Sequence, residues 1–289
     1  MRFALTTDQL AFRDAVRDLL AKERYDDRAT WDALVDMGVA SVLVPESEGG
    51  LGLDEMTLVP ILEQTGYAAL AFPIVETAMV AAPLGLADRM VALVDGQLAA
   101  WADRADVVLA GDGSEVRQDL LAPVEAVDRS RPVRRIGRPL PAPHGDTIDR
   151  AALGTAAQLI GLGQAMLDLT VGYVKERQQF GVPIGSFQAV KHHLANALKE
   201  LSFARPAVYR AAYSVATAST DASRDVSMAK AMASDAASFV GRVALQCHGA
   251  IGYTVEYDLH LWLKRTWALS RAWGDSSWHR DRVGRAIGV

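Results

Sequence analysis

The chain has 289 residues, half of them hydrophobic and 22% charged, enough apolar material for one large domain or two to three smaller ones. A formal charge of −5 leaves no broad basic field for nucleic acid, and the basic clusters at 129–138 and 280–285 read as a solvated loop or helix face. The single cysteine, Cys247, forms no internal disulfide and by itself no zinc site; the first six residues turn polar too early for a signal peptide, and no run of about 18 apolar residues offers a membrane span, so a cytoplasmic protein is expected.

Residues 8–24 predict an amphipathic helix, with Leu10, Phe12, Val16, Leu19 and Leu20 at near-helical spacing. A second helix is expected over 31–37, stopping at Gly38. Val42-Leu43-Val44-Pro45-Glu46 then leads into a glycine turn, Gly49-Gly50-Leu51-Gly52. Asp54 reads as the N-cap of a third helix carrying Leu58, Leu62 and Thr65 on one face, and Ala-rich apolar sequence continues to about 94.

Character changes between 95 and 147. The runs 106–110 and 119–124, separated by Gly111-Asp112-Gly113, predict a short β-hairpin or meander, and prolines at 132, 139, 141 and 143 exclude long regular structure. From 148 the pattern is helical, with helices expected at 148–176, 187–216, 221–249 and 256–273. The third carries Met228, Met232, Ala236, Phe239 and Val243 on one face, and helices of this length pack as a bundle. The fold class is mainly α: an N-terminal helical domain (1–94), a small β middle domain (95–147) and a C-terminal helical bundle (148–289).

Two segments carry candidate chemistry. In Arg177-Gln178-Gln179-Phe180-Gly181-Val182-Pro183-Ile184-Gly185-Ser186-Phe187-Gln188, an arginine at one helix end meets the free N–H groups of the next helix start, a combination suited to a pyrophosphate. An ordinary helix–loop–helix corner with a surface arginine fits the same residues. In Gln246-Cys247-His248-Gly249-Ala250-Ile251-Gly252-Tyr253, two glycines permit close approach of a ligand to the backbone, with Gln246 as a polar hook. A tight helix C-terminus uses the glycines equally well. Cys247 reads as a small buried hydrophobe rather than a nucleophile.

Together these motifs, Arg177-x-x-Phe180-Gly181-x-x-Ile184-x-x-Phe187-Gln188 and Gln246-x-x-Gly249-x-x-Gly252-Tyr253, resemble the two C-terminal signatures of acyl-CoA dehydrogenases. Val44-Pro45-Glu46 with Gly49-Gly50-Leu51-Gly52 is similar to that family's N-terminal signature. The resemblance implies a helical domain, a β-barrel domain and a four-helix bundle, with FAD oxidising the Cα–Cβ bond of an acyl-CoA and an electron-transfer flavoprotein as acceptor. It implies that Arg177 binds the FAD diphosphate, with Gln178, Gln179, Phe187, Gln188, Gln246, Cys247, His248, Gly249 and Ala250 completing a clamp that reaches into a neighbouring chain.

Two departures qualify this. Counting from Gln246, the family's Glu-Gly-Thr base falls on Trp273, followed by Gly274, Asp275 and Ser276, and an indole cannot take the α-proton. Asp275, beside the lost base position but shorter than glutamate by one methylene, and Asp149 are the weak candidates for a substitute; a helix-start role explains Asp149 more simply, as it does Glu256, and a structural role is preferred for all three. The stretch 95–147 is also short for a flavin-facing barrel, and Trp101-Ala102-Asp103 does not match the Trp-Ile-Thr sequence that contacts the isoalloxazine. The clamp without base or barrel resembles the short subunit of heteromeric, steroid-degrading acyl-CoA dehydrogenases. The expectation is a heterotetramer whose longer partner supplies both. A scaffold that binds no flavin, or a self-sufficient homo-oligomer using an aspartate base, are the alternatives.

Overall fold

Side-chain caps start the first three helices of the computed structural model, which describes residues 4–23 and 26–289. Thr6 and Gln9 form a reciprocal capping box at α1 (Thr7–Leu20). Asp27 accepts from the Ala29 N–H at α2 (Arg28–Asp36), and Asp54 from the Thr57 N–H at α3 (Glu55–Tyr67), as its position before an apolar run predicts. Gly38 ends the second helix in the left-handed region at φ 82°, where glycine carries no Cβ penalty. The expected first helix was drawn too long: α1 stops at Leu20.

Five short strands follow: β1 (Val91–Asp95), β2 (Leu98–Ala100), β3 (Val107–Leu109), β4 (Leu121–Val124) and β5 (Val133–Ile136), in spatial order β3-β1-β2-β5-β4. The hairpin expected between the runs 106–110 and 119–124 does not form. β3 pairs in parallel with β1, β4 pairs with β5, and the two lie at opposite edges of the sheet. Its cause is β1, whose run Val91-Ala92-Leu93-Val94 is buried throughout and so lacks the alternation that marks a half-exposed strand.

The remainder is helical: α4 (Asp146–Glu176), α5 (Gln188–Ala216), α6 (Ala222–His248), α7 (Leu259–Arg271) and α8 (Ser276–Ile287). The sequence reading missed α8, whose basic residues mask its period; Asp275 caps it and His279 anchors it in the core. The core face of α6 also differs from the expected one. Val226, Ala229, Ala233, Ala237, Val240 and Ala244 are buried along with the expected Ala236 and Val243, whereas Met228 and Met232 face outward. α4 and α6 run parallel, since Ser223 reaches Asp149 at their starts and Tyr173 stacks on His248 at their ends.

Small residues bring α3 and α4 almost backbone to backbone. A Cβ on Gly66 would sit 2.1 Å from the Gln158 carbonyl, and one on Gly161 would sit 1.9 Å from that of Glu63. This contact fuses the N-terminal helices to the bundle in one apolar core, while a second, smaller core lies within the sheet. Among the described residues, no helix is long and apolar enough to cross a membrane.

Candidate functional site

At the end of α4 the backbone of Arg177 turns extended (φ −68°, ψ 122°), and its carbonyl accepts the Ile184 N–H at 2.8 Å. A two-residue pair, β6 (Gln178–Gln179) with β7 (Val182–Pro183), folds the loop back, with Phe180 and Gly181 at positive φ forming its tip. Phe187 is the N-cap of α5 and supplies no side-chain acceptor, so the first-turn N–H groups of α5 remain free among the described residues. Arg177, Gln178, Gln179, Phe187 and Gln188 are all exposed, and no hydrogen bond or ion pair holds the Arg177 guanidinium among the described residues.

The second segment closes α6. The His248 imidazole is buried, stacked on Tyr173 at 4.3 Å, and its Nδ1–H donates to the Ala244 carbonyl at 2.8 Å. Burial pushes its pKa down, favouring the neutral ring. Of the predicted clamp residues, His248 therefore offers backbone rather than side chain. Gly249 turns the chain at φ 62° with open space beside its Cα, and Gln246, Gly249 and Ala250 are exposed. Cys247 is half-buried and burial raises its pKa, so it is a thiol and not a thiolate nucleophile. Tyr173 lies one turn before Arg177, so its stacking on His248 brings both segments to the same end of the bundle.

The two candidate bases have other partners. Asp149 is buried, accepts from Ser223 Oγ and pairs with Arg282, linking α4, α6 and α8. Asp275 accepts the Trp278 N–H at 2.9 Å as the α8 N-cap, and that bond leads the lowering of its pKa. Glu256 is exposed, ahead of α7. Trp273, at the position counted for the base, is buried at φ 59° with its backbone N–H on Asp95.

Around Trp273 lie groups that the sequence reading did not single out. Lys230 on α6 is fully buried, and its ammonium donates to Ser234 Oγ, Ser270 O and Gly274 O at 3.1–3.3 Å; burial pushes its pKa down to about 7. His279 donates from Nε2 to the Trp273 carbonyl at 3.0 Å, and burial pushes its pKa down to about 4. The one available signal was a lysine on the Val226–Ala233–Ala237 face of an Ala-rich helix. Trp101 is also buried at positive φ, beneath Arg265 and Arg131.

These residues fit one end of FAD. The free guanidinium, the uncapped α5 start and the open Gly249 turn suit a diphosphate. The space beside Trp273 is about 150 Å3, below the roughly 300 Å3 at which small-ligand pockets begin, so it does not fit an isoalloxazine.

Comparison with known proteins places the chain in a family. Residues 6–87 match the acyl-CoA dehydrogenase N-terminal domain, and residues 145–288 the acyl-CoA dehydrogenase C-terminal domain. Acyl-CoA dehydrogenase IpdE2 of Mycolicibacterium smegmatis is 33% identical over 282 residues, covering 91% of this chain and 89% of the relative. The chain belongs to the acyl-CoA dehydrogenase family. Among solved structures, the ChsE4-ChsE5 complex from Mycobacterium tuberculosis matches with TM-score 0.83 at 21% identity, covering 100% of this chain and 99% of the other. The Tcur3481-Tcur3483 steroid ACAD matches with TM-score 0.78 at 22% identity, covering 97% and 98%. Both show the fold of this acyl-CoA dehydrogenase chain, and family membership implies a flavin and an oxidoreductase.

Proposed function

We propose that this chain is the flavin-completing subunit of a heteromeric acyl-CoA dehydrogenase, pairing with a longer chain that supplies the catalytic base and the isoalloxazine pocket. The observation that carries the reading is the contrast between its two ends. Arg177 stands exposed without a partner, whereas the base position holds a buried tryptophan. FAD, when bound, supplies the oxidising chemistry at the acyl Cα–Cβ bond. This chain's own residues bind and orient: Arg177 meets a diphosphate as a planar fork, the α5 N–H groups add donors, and Gln178, Gln179, Gln188 and Gln246 offer amides. The exposed Phe180, Phe187, Leu198 and Phe203 lie on that loop and on α5, an apolar surface of the kind a partner covers.

The architecture of the two complexes named above supports a heteromer, and the steroid acyl-CoA dehydrogenase among them supports a steroid-derived acyl-CoA as substrate. An electron-transfer flavoprotein is the proposed acceptor, and the cytoplasm the proposed location. Arg177→Ala tests the clamp in the co-purified complex. Loss of most bound FAD from an intact, correctly assembled complex is expected. Unchanged FAD would favour a scaffold subunit instead.

A further inference from the structure

The basic cluster 129–138 contains one arginine that does not behave as a surface charge. Arg131 is 8% exposed, yet its guanidinium makes no hydrogen bond or ion pair among the described residues. It lies over the Trp101 ring at 5.6 Å, and its Nε is buried without an acceptor. Buried charges ordinarily have a partner, because desolvation without one is costly.

Arg131 lines the cavity of about 150 Å3 between β1, β2, β5 and the end of α7. Trp273 lines the same cavity, and its indole Nε1–H is also buried without an acceptor. Two of the five orphaned buried polar atoms among the described residues thus sit on residues that line one small space. Both are donors. Both aromatic residues next to Arg131 and the cavity, Trp101 and Trp273, hold the left-handed backbone that such side chains rarely adopt, a strain that collects at ligand sites.

Arg131 feels the charges of Glu76, Asp128 and Asp95, yet pairs with none of them among the described residues. Arg271 stands at the cavity lining as a second cation. Asp95 also lines it, but its carboxylate accepts the Trp273 backbone N–H at 3.1 Å. Asp128 is held by Arg265 and Ser130. Burial raises the pKa of Glu76, the remaining acid near Arg131, while the charge of Arg131 opposes that shift. The carbonyl end of α7, which would repel an anion, is covered by the Lys230 ammonium on Ser270 O. Apart from these polar groups the lining is apolar, chiefly Leu93, Leu98 and Val133.

We propose that this cavity binds a short aliphatic carboxylate, its oxygens on Arg131 with Arg271 beside them and its hydrocarbon against Leu93, Leu98 and Val133. A carboxylate matches the planar fork of a guanidinium, and a short chain matches the volume and the apolar wall. Inorganic phosphate shares the oxyanion chemistry but has no hydrocarbon to place against that wall. The site is separate from the Arg177 end of the bundle and does not depend on the flavin reading.

Isothermal titration of the full chain with butyrate, phosphate and chloride at matched ionic strength tests this. Saturable butyrate binding is expected, weakened at least about tenfold by Arg131→Met, which removes a charge-assisted pair. Leu98→Trp, on a half-exposed strand position, should weaken it similarly by filling the apolar side, with melting curves verifying the fold of each variant. Should both variants misfold, the Arg131 Nε–Hε resonance of the wild-type chain must shift on butyrate addition. Absence of saturable butyrate binding, tighter binding of phosphate than butyrate, undiminished binding by a folded Arg131→Met, or an unmoved resonance would overturn the proposal.

Discussion

At the scale of single residues, Asp149 shows how a candidate base becomes a fastener. Its carboxylate sits in the first turn of α4, where the helix dipole already favours it, and Arg282 crosses from α8 to meet it. Removing one member of a buried pair leaves the other uncompensated, so Asp149→Asn should cost about 3 kcal/mol in chemical denaturation. FAD content and turnover of the surviving complex should be unchanged; loss of turnover with flavin retained would make Asp149 the base after all. His279 carries a pH prediction. Its folded pKa of about 4 lies below the ordinary 6.5, so between these values the unfolded chain binds a proton that the folded chain does not. Stability should be fully present above pH 6.5 and fall as the pH drops toward 4, by on the order of 3 kcal/mol. Denaturation curves at pH 7 and pH 4.5 measure this, and His279→Gln should flatten the dependence. Neither role was legible in the sequence, because the partners, Arg282 and Trp273, are remote or belong to a helix whose period the charged residues hide.

At the scale of elements, legibility followed periodicity. α4, α5 and α6 were readable because each runs for many turns with apolar residues at helical spacing. The sheet was not. β1 is apolar on both faces, and its parallel pairing to β3 joins residues 16 apart in sequence, information that local alternation does not contain. The α3–α4 crossing was equally hidden, since a glycine inside a helix does not announce which backbone it admits. Gly161→Ala should destabilise by about 1–3 kcal/mol, because its Cβ would meet the Glu63 carbonyl at 1.9 Å. Gly172→Ala, on the same helix but with nothing within 4 Å, should instead stabilise by up to about 1 kcal/mol. Paired thermal melts of the two variants test the crossing directly, and equal effects would contradict it.

At the scale of the molecule, the chain is asymmetric in its chemistry. One end of the bundle presents a free guanidinium, exposed amides and an uncapped helix start, and the region around Trp273 is packed with a buried indole, a desolvated lysine and a neutral histidine. The sequence motifs singled out the first end, since Arg177 and Gln246 lie in contiguous signatures. They showed only that a glutamate was missing at the second, not what fills its place. On the proposed reading, an acyl-CoA dehydrogenase chain built this way would complete a neighbour's flavin site and house none of its own. The most direct measurement is FAD stoichiometry of this chain purified alone and co-purified with a longer acyl-CoA dehydrogenase chain. The account predicts negligible FAD and no acyl-CoA oxidation for the chain alone, with both restored in the complex. Stoichiometric FAD and turnover in the isolated chain would contradict it.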